Sequence, residues 1–155
     1  QESGRRPGTE CAPLATGMAT ALQIWHNSRA EIARRIAGLR EQLLTGLSAH
    51  CAPIVIHGDP QHRLPNTLSV AFPGCDGDAL LIALDLEGVC CSLGSTCASG
   101  SSEPAPILIA MGIPRDVIRS TLRLTLGIDN TPAEIHSAIQ AFARVVPRLR
   151  NGSAH

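Results

Sequence analysis

Cys97 stands in the middle of Leu93-Gly-Ser-Thr-Cys-Ala-Ser-Gly-Ser-Ser-Glu-Pro104, a run in which almost every side chain is small or polar. Such a stretch buries little surface, and its composition predicts a mobile loop. A cysteine there is unlike a core cysteine, because nothing nearby in the sequence can pack around it. The chemistry that needs a thiol on a tether is delivery: a thiolate reacts in one place, then swings out to hand its cargo on elsewhere. Gly94 and Gly100 would supply the hinges. The alternative is a surface loop with an incidental cysteine. A nucleophile elbow does not apply, since the Gly-x-Cys-x-Gly spacing is absent.

Two further groups could bind anions. Arg123 lies on an alternating segment between Thr121 and Thr125, on the side away from the leucines. A planar guanidinium there could grip a substrate carboxylate with two hydrogen bonds, or simply be a solvated strand arginine. Arg6-Pro7-Gly8-Thr9 precedes a long helical pattern, and the amides at a helix start favour an anion, although most such segments only lead into a helix.

What is missing limits the chemistry. All thirteen basic residues are arginine, so these residues supply no lysine amine for a Schiff base. The six cysteines are Cys11, Cys51, Cys75, Cys90, Cys91 and Cys97, with no Cys-x-x-Cys and no secretory signal. A disulfide framework and a structural zinc site are therefore the weaker readings, and Cys51 and Cys75 are expected to be small buried hydrophobes. His26, His50, His57, His62, His136 and His155 are scattered without ligand spacing, so no metal site is expected.

Elements to position these groups can be read from periodicity. The 155 residues are 44% hydrophobic and 17% charged, which fits one globular domain over 1–150 with a frayed tail at 151–155. A formal net charge of +0 gives no electrostatic case for nucleic acid or an anionic membrane, and no apolar run reaches the length of a membrane span. A soluble cytoplasmic protein is expected. Leu14, Met18, Leu22, Trp25, Ile32, Ile36, Leu39, Leu43 and Leu47 recur at helical steps and predict a long amphipathic helix over 13–47. Strands are predicted at 54–56, 67–72, 89–92 and 121–126, and helices at 77–86, near 106–111 and near 115–120. Thr131-Pro132-Ala133-Glu134 is a capping box that opens a last helix carrying Ile135, Ile139, Phe142, Val146 and Leu149. The order predicts an α+β fold, with helices packed on a small, mainly antiparallel sheet.

Four segments together resemble the C-terminal part of cysteine desulfurases, pyridoxal-phosphate enzymes of the class V aminotransferase branch. They are Gln-Glu-x-Gly-x-Arg-x-Gly-Thr at 1–9, Leu-Pro-Asn-Thr-Leu-Ser-Val at 64–70, Gly-Ser-Thr-Cys-Ala-Ser-Gly at 94–100 followed by Glu103-Pro104, and Ile-Arg-Ser-Thr-Leu-Arg-Leu-Thr-Leu-Gly at 118–127. They stand in the family's order and cover nearly the whole chain. The resemblance implies the small C-terminal domain of a fold-type-I pyridoxal-phosphate enzyme. It gives Cys97 the role of the thiol that takes sulfur from L-cysteine and becomes a persulfide. It makes Arg123 the residue that binds the substrate's α-carboxylate. It makes Thr9 a contact to the cofactor phosphate of the opposite subunit, hence a homodimer. The sulfur would go to an acceptor or scaffold protein in iron–sulfur cluster assembly or thiolation.

The chain departs from that family in one respect that matters: the large domain with the Schiff-base lysine has no counterpart here. Opening at Gln1 within a family motif, it is expected to be a fragment, inactive alone and unable to hold pyridoxal 5'-phosphate. A stand-alone persulfide carrier, a nonfunctional remnant and a selenocysteine lyase-like fragment are the competing readings.

Overall fold

A computed structural model of the chain describes residues 2–5, 7–93 and 105–152. Two compact units are distinguished, residues 1–33 and 34–155. In the first, a short 3-10 turn at Glu2–Gly4 precedes the opening part of helix α1 (Ala12–His50), which continues into the second unit.

The second unit contains a four-stranded antiparallel sheet in the order β1-β2-β4-β3, formed by β1 (Val55–Ile56), β2 (Thr67–Ala71), β3 (Ser92–Leu93) and β4 (Thr121–Thr125). Helix α2 (Gly77–Leu86) packs on β3, β4 and the long final helix α5 (Pro132–Gly152). Two one-turn helices, α3 (Pro106–Ala110) and α4 (Arg115–Arg119), lead into β4. The fold is α+β. Nine elements therefore fall close to where the periodicity puts them.

Physical causes of the elements are local. Asp76 caps α2 by accepting from the Ala79 amide at 3.0 Å. The capping box of α5 forms as its sequence requires: Thr131 N donates to Glu134 Oε2 at 2.8 Å, and Glu134 N donates to Thr131 Oγ1 at 3.3 Å. The Thr131 amide, with the Asn130 side-chain amide and the Thr131 hydroxyl, holds the Glu134 carboxyl below the ordinary carboxylate range. One strand begins later than its sequence suggests. Gly88, at φ +80°, ends α2, with Gly88 N bonded to Asp85 O and Val89 N to Leu84 O. Residues 88 and 89 are thus used to close the helix, and β3 begins only at Ser92.

The core lies between the sheet and the helices. Leu68, Val70, Phe72, Leu122 and Leu124 face Leu80, Leu84, Phe142, Val145 and Val146, all buried. Phe72 and Phe142 stack with centroids 5.3 Å apart, and each fully buried side chain of this size contributes about 2 kcal/mol. Ile36, Leu39, Leu43 and Leu47 are the buried side of α1 in this unit. Gly46 lets α1 approach α5 closely, since a Cβ there would lie 2.4 Å from Ile139 Cδ1. Arginines tie the loops to this frame: Arg40 donates to Leu64 O at 2.8 Å and Arg35 to Asn130 O at 2.9 Å.

Candidate functional site

β4 is a central strand, and alternation puts Leu122 and Leu124 into the core while Thr121, Arg123 and Thr125 share the other face. The register sets Arg123 opposite Ser69 of β2 on one side and Ser92 of β3 on the other. Cross-strand partners share a face. The half-buried Arg123 is therefore flanked by two small hydroxyl residues. Nothing in the spacing of residues 69 and 92 along the sequence marks them as neighbours of Arg123; strand register alone does so.

The same face of β4 is not uniformly solvated. Thr121 is fully buried, with its hydroxyl donating to Val117 O at 2.9 Å and lying 3.1 Å from His57 Nε2. His57 is therefore a core residue, and burial pushes its pKa below the usual histidine value.

Thr9 is exposed in the segment ahead of α1, next to Gly8 at φ +104°. It belongs to the unit of residues 1–33, and Arg123 to the unit of residues 34–155. Cys97, with the whole of 94–104, lies outside the described residues. The two anchors of that segment are described. Leu93 pairs with Leu122 at the end of β3, and Ala105 is buried with Leu108 and Ile118 where α3 begins. Both attachment points are thus fixed in packed structure, one of them one residue from the strand position opposite Arg123.

The other thiols divide by burial. Cys51 is pushed up to about 11 by burial, and so is Cys91, while Cys75 is raised for the same reason. These three are protonated at neutral pH and are poor nucleophiles. Cys51 and Cys75 are the buried hydrophobes their surroundings in sequence imply. Cys11 and Cys90 are exposed. Among the described residues no three His, Cys, Asp or Glu side chains come together as a metal site.

A concavity of about 400 Å³ opens in the second unit, with Leu43, Cys90, Leu124, Leu126, Ile135 and Phe142 among its lining. Arg123 does not line it. As for pyridoxal phosphate, the residues present do not fit the complete group. Its Schiff base needs a lysine amine, and the thirteen basic residues are all arginine. Thr9 and Arg123 offer only a hydroxyl and a guanidinium. No reaction step on the cofactor can be assigned to this chain.

Comparison with known proteins agrees with the sheet and its connections. The aminotransferase class-V family model matches residues 1–137. The chain is 38% identical over 154 residues to an IscS-like cysteine desulfurase of Mycobacterium tuberculosis, covering 99% of this chain and 39% of that protein. It is 32% identical over 155 residues to the cysteine desulfurase IscS of Clostridium botulinum, again with 99% and 39% covered. Among solved structures, a NifS-like protein superposes with a TM-score of 0.79 at 30% identity, covering 96% of this chain and 37% of the other. A NifS-like protein from Rickettsia africae gives 0.78 at 29%, with 95% and 38% covered. The chain spans about two-fifths of the length of the curated relatives it matches. With a family match running through the sheet and into α5, the chain belongs to the aminotransferase class-V family.

Proposed function

We propose that this chain is the sulfur-handling part of a cysteine desulfurase, with Cys97 as the thiol that accepts sulfur from L-cysteine. The observation that carries this reading is the likeness to cysteine desulfurases along 99% of the chain, together with a cysteine in the segment that joins β3 to α3.

In this reading the Cys97 thiol attacks the sulfur of bound L-cysteine. The carbon–sulfur bond of the substrate breaks, an S–S bond forms, and the carbon keeps the pair and gains a proton, so that a persulfide and alanine result without an external oxidant. Arg123 holds the substrate's α-carboxylate from its place between Ser69 and Ser92 on the sheet. Pyridoxal 5'-phosphate would supply the electron sink in the complete enzyme, and the lysine to hold it would have to come from outside these residues. Thr9 meets its phosphate from the opposite subunit, which makes the complete enzyme a homodimer. An acceptor protein then takes the sulfur from Cys97 for iron–sulfur cluster assembly or thiolation. A reducing cytoplasm suits the reaction, and the described cysteines are all free thiols. Among the described residues no helix is long and apolar enough to cross a membrane.

The test is mass spectrometry of the Cys97 peptide in the longer gene product after exposure to L-cysteine. A gain of about 32 Da on Cys97, lost in Cys97→Ala together with sulfur release, is the expected result. Turnover unchanged in Cys97→Ala would sink the assignment. A second reading is a persulfide carrier that is loaded by another protein and needs no lysine of its own. Loading of Cys97 in the isolated chain from a small-molecule persulfide, with onward transfer and no cofactor, would put that reading first.

A further inference from the structure

Residues 12–28 of α1 contain no Asp, Glu, Lys or Arg, whereas residues 29–50 of the same helix carry Arg29, Glu31, Arg34, Arg35, Arg40 and Glu41. The uncharged part exposes Leu14 at 74%, Met18 at 66%, Leu22 at 56% and Trp25 at 55%, which form one stripe at steps of four, four and three. Ile24 is 65% exposed and lies about 100° around the helix from Trp25. Several polar side chains here turn back on the helix. Thr20 Oγ1 donates to Thr16 O at 2.9 Å, Ser28 Oγ to Ile24 O at 3.1 Å, and Gln23 Nε2 to Asn27 Oδ1 at 3.1 Å. Ala12, Ala15, Gly17, Ala19 and Ala21 offer low relief for a close neighbour.

A solvated helix surface normally carries charge at a quarter or more of its positions, and a helix without charge all round is one that is covered. Hydroxyls that bond to the preceding turn ask little of a neighbour, so that face too can be covered without stranding polar groups. Lipid is the wrong cover, because the helix cannot cross a membrane and the segment has no basic residues for an anionic surface. A second copy related by a two-fold axis would cover one side only. The relatives, however, have about three-fifths of their length beyond the part that this chain matches.

We propose that residues 12–28 of α1 are a docking helix for that remaining part of the enzyme polypeptide, which presents an apolar, uncharged surface wrapped around more than one side of the helix. This rests on the reading of the chain as part of a longer desulfurase, but not on any role of Cys97. The shallow groove beside Ala19, Leu22 and Trp25, about 390 Å³, receives a side chain of the covering part.

Hydrogen–deuterium exchange of the isolated chain and of the longer gene product provides the test. Peptides within 12–28 should exchange rapidly in the isolated chain and at least about a hundredfold more slowly in the longer protein. Emission from Trp25, the one tryptophan of the chain, should be red-shifted and independent of concentration in the isolated form. Leu22→Asp should leave the melting temperature of the isolated chain unchanged and lower that of the longer protein by several degrees. Equal, rapid exchange in both forms would overturn the proposal. So would protection in the isolated chain that grows with its concentration, since a second copy would then be the cover, and so would a native gene product of only 16.3 kDa. A persulfide absent from Cys97 would leave this inference standing, and free exchange at 12–28 would leave the sulfur chemistry standing.

Discussion

His57 Nε2 lies 3.1 Å from Thr121 Oγ1, and because that hydroxyl donates to Val117 O, the imidazole must be the donor between them. Nδ1 then carries the lone pair, buried and without a hydrogen-bond partner among the described residues. Protonation would place a charge and an unanswered N–H in the core, and this explains why burial lowers the pKa.

Stability should therefore fall as pH drops from about 6.5, the value for the unfolded chain, through the lower folded value, because the unfolded state takes up the proton first. Asp59, held down by the amides of His62 and Gln61, and Glu134 in its capping box are depressed acids. Their stabilising effect is present above the ordinary carboxylate range and is lost as pH falls through their folded values. Urea melts across pH should show two stages. His57→Gln, which keeps a donor for Thr121 without titrating, should remove the upper one.

Arg150 should be worth more to stability than its place near the end of α5 suggests. Its guanidinium donates to Pro73 O at 2.9 Å, Ala52 O at 2.8 Å and Pro53 O at 2.6 Å. One side chain thus ties three elements, next to the buried Cys51 and Cys75. Arg150→Ala should cost about 2 kcal/mol in denaturant melts, with Arg150→Lys recovering only part.

Gly77 is the glycine whose replacement should be least tolerated. A Cβ there would lie 2.3 Å from Arg119 O, a backbone atom that cannot step aside. Gly77→Ala should destabilise by about 2–3 kcal/mol despite the better helix propensity of alanine. Gly46→Ala meets only the side chain of Ile139 and should cost less.

On the proposed desulfurase reading, Arg123→Lys in the longer gene product should lower kcat/KM for L-cysteine by roughly thirtyfold, about 2 kcal/mol, because an ammonium cannot bind a carboxylate with a planar fork. Initial-rate kinetics with full occupancy of the cofactor would decide the point. An unchanged kcat/KM would remove Arg123 from the substrate site.

Thiol labelling should follow burial. N-ethylmaleimide at neutral pH should modify Cys11 and Cys90 rapidly, the half-buried Cys91 with its raised pKa more slowly, and Cys51 and Cys75 only on unfolding. Peptide mass mapping of partially labelled protein gives the order.

The sequence by itself determined the kinds and approximate places of the elements. The leucine steps of α1, the strict alternation of 121–125 and the capping box at Thr131 are local signals, each resting on a few neighbouring residues. A cysteine among small and polar residues, an arginine on an alternating segment and the absence of lysine are legible for the same reason, as chemistry that belongs to single residues. Tertiary structure decided which residues meet. Ser69 and Ser92 flank Arg123 only through strand register, His57 finds Thr121 across 64 residues, and Gly77 matters only because Arg119 O lies against it. It also decided which part of α1 is covered. The apolar stripe reads as continuous from Leu14 to Leu47, yet only its later residues are buried. Periodicity reveals that a face is apolar; what buries it depends on polypeptide distant in sequence, and no local pattern encodes that.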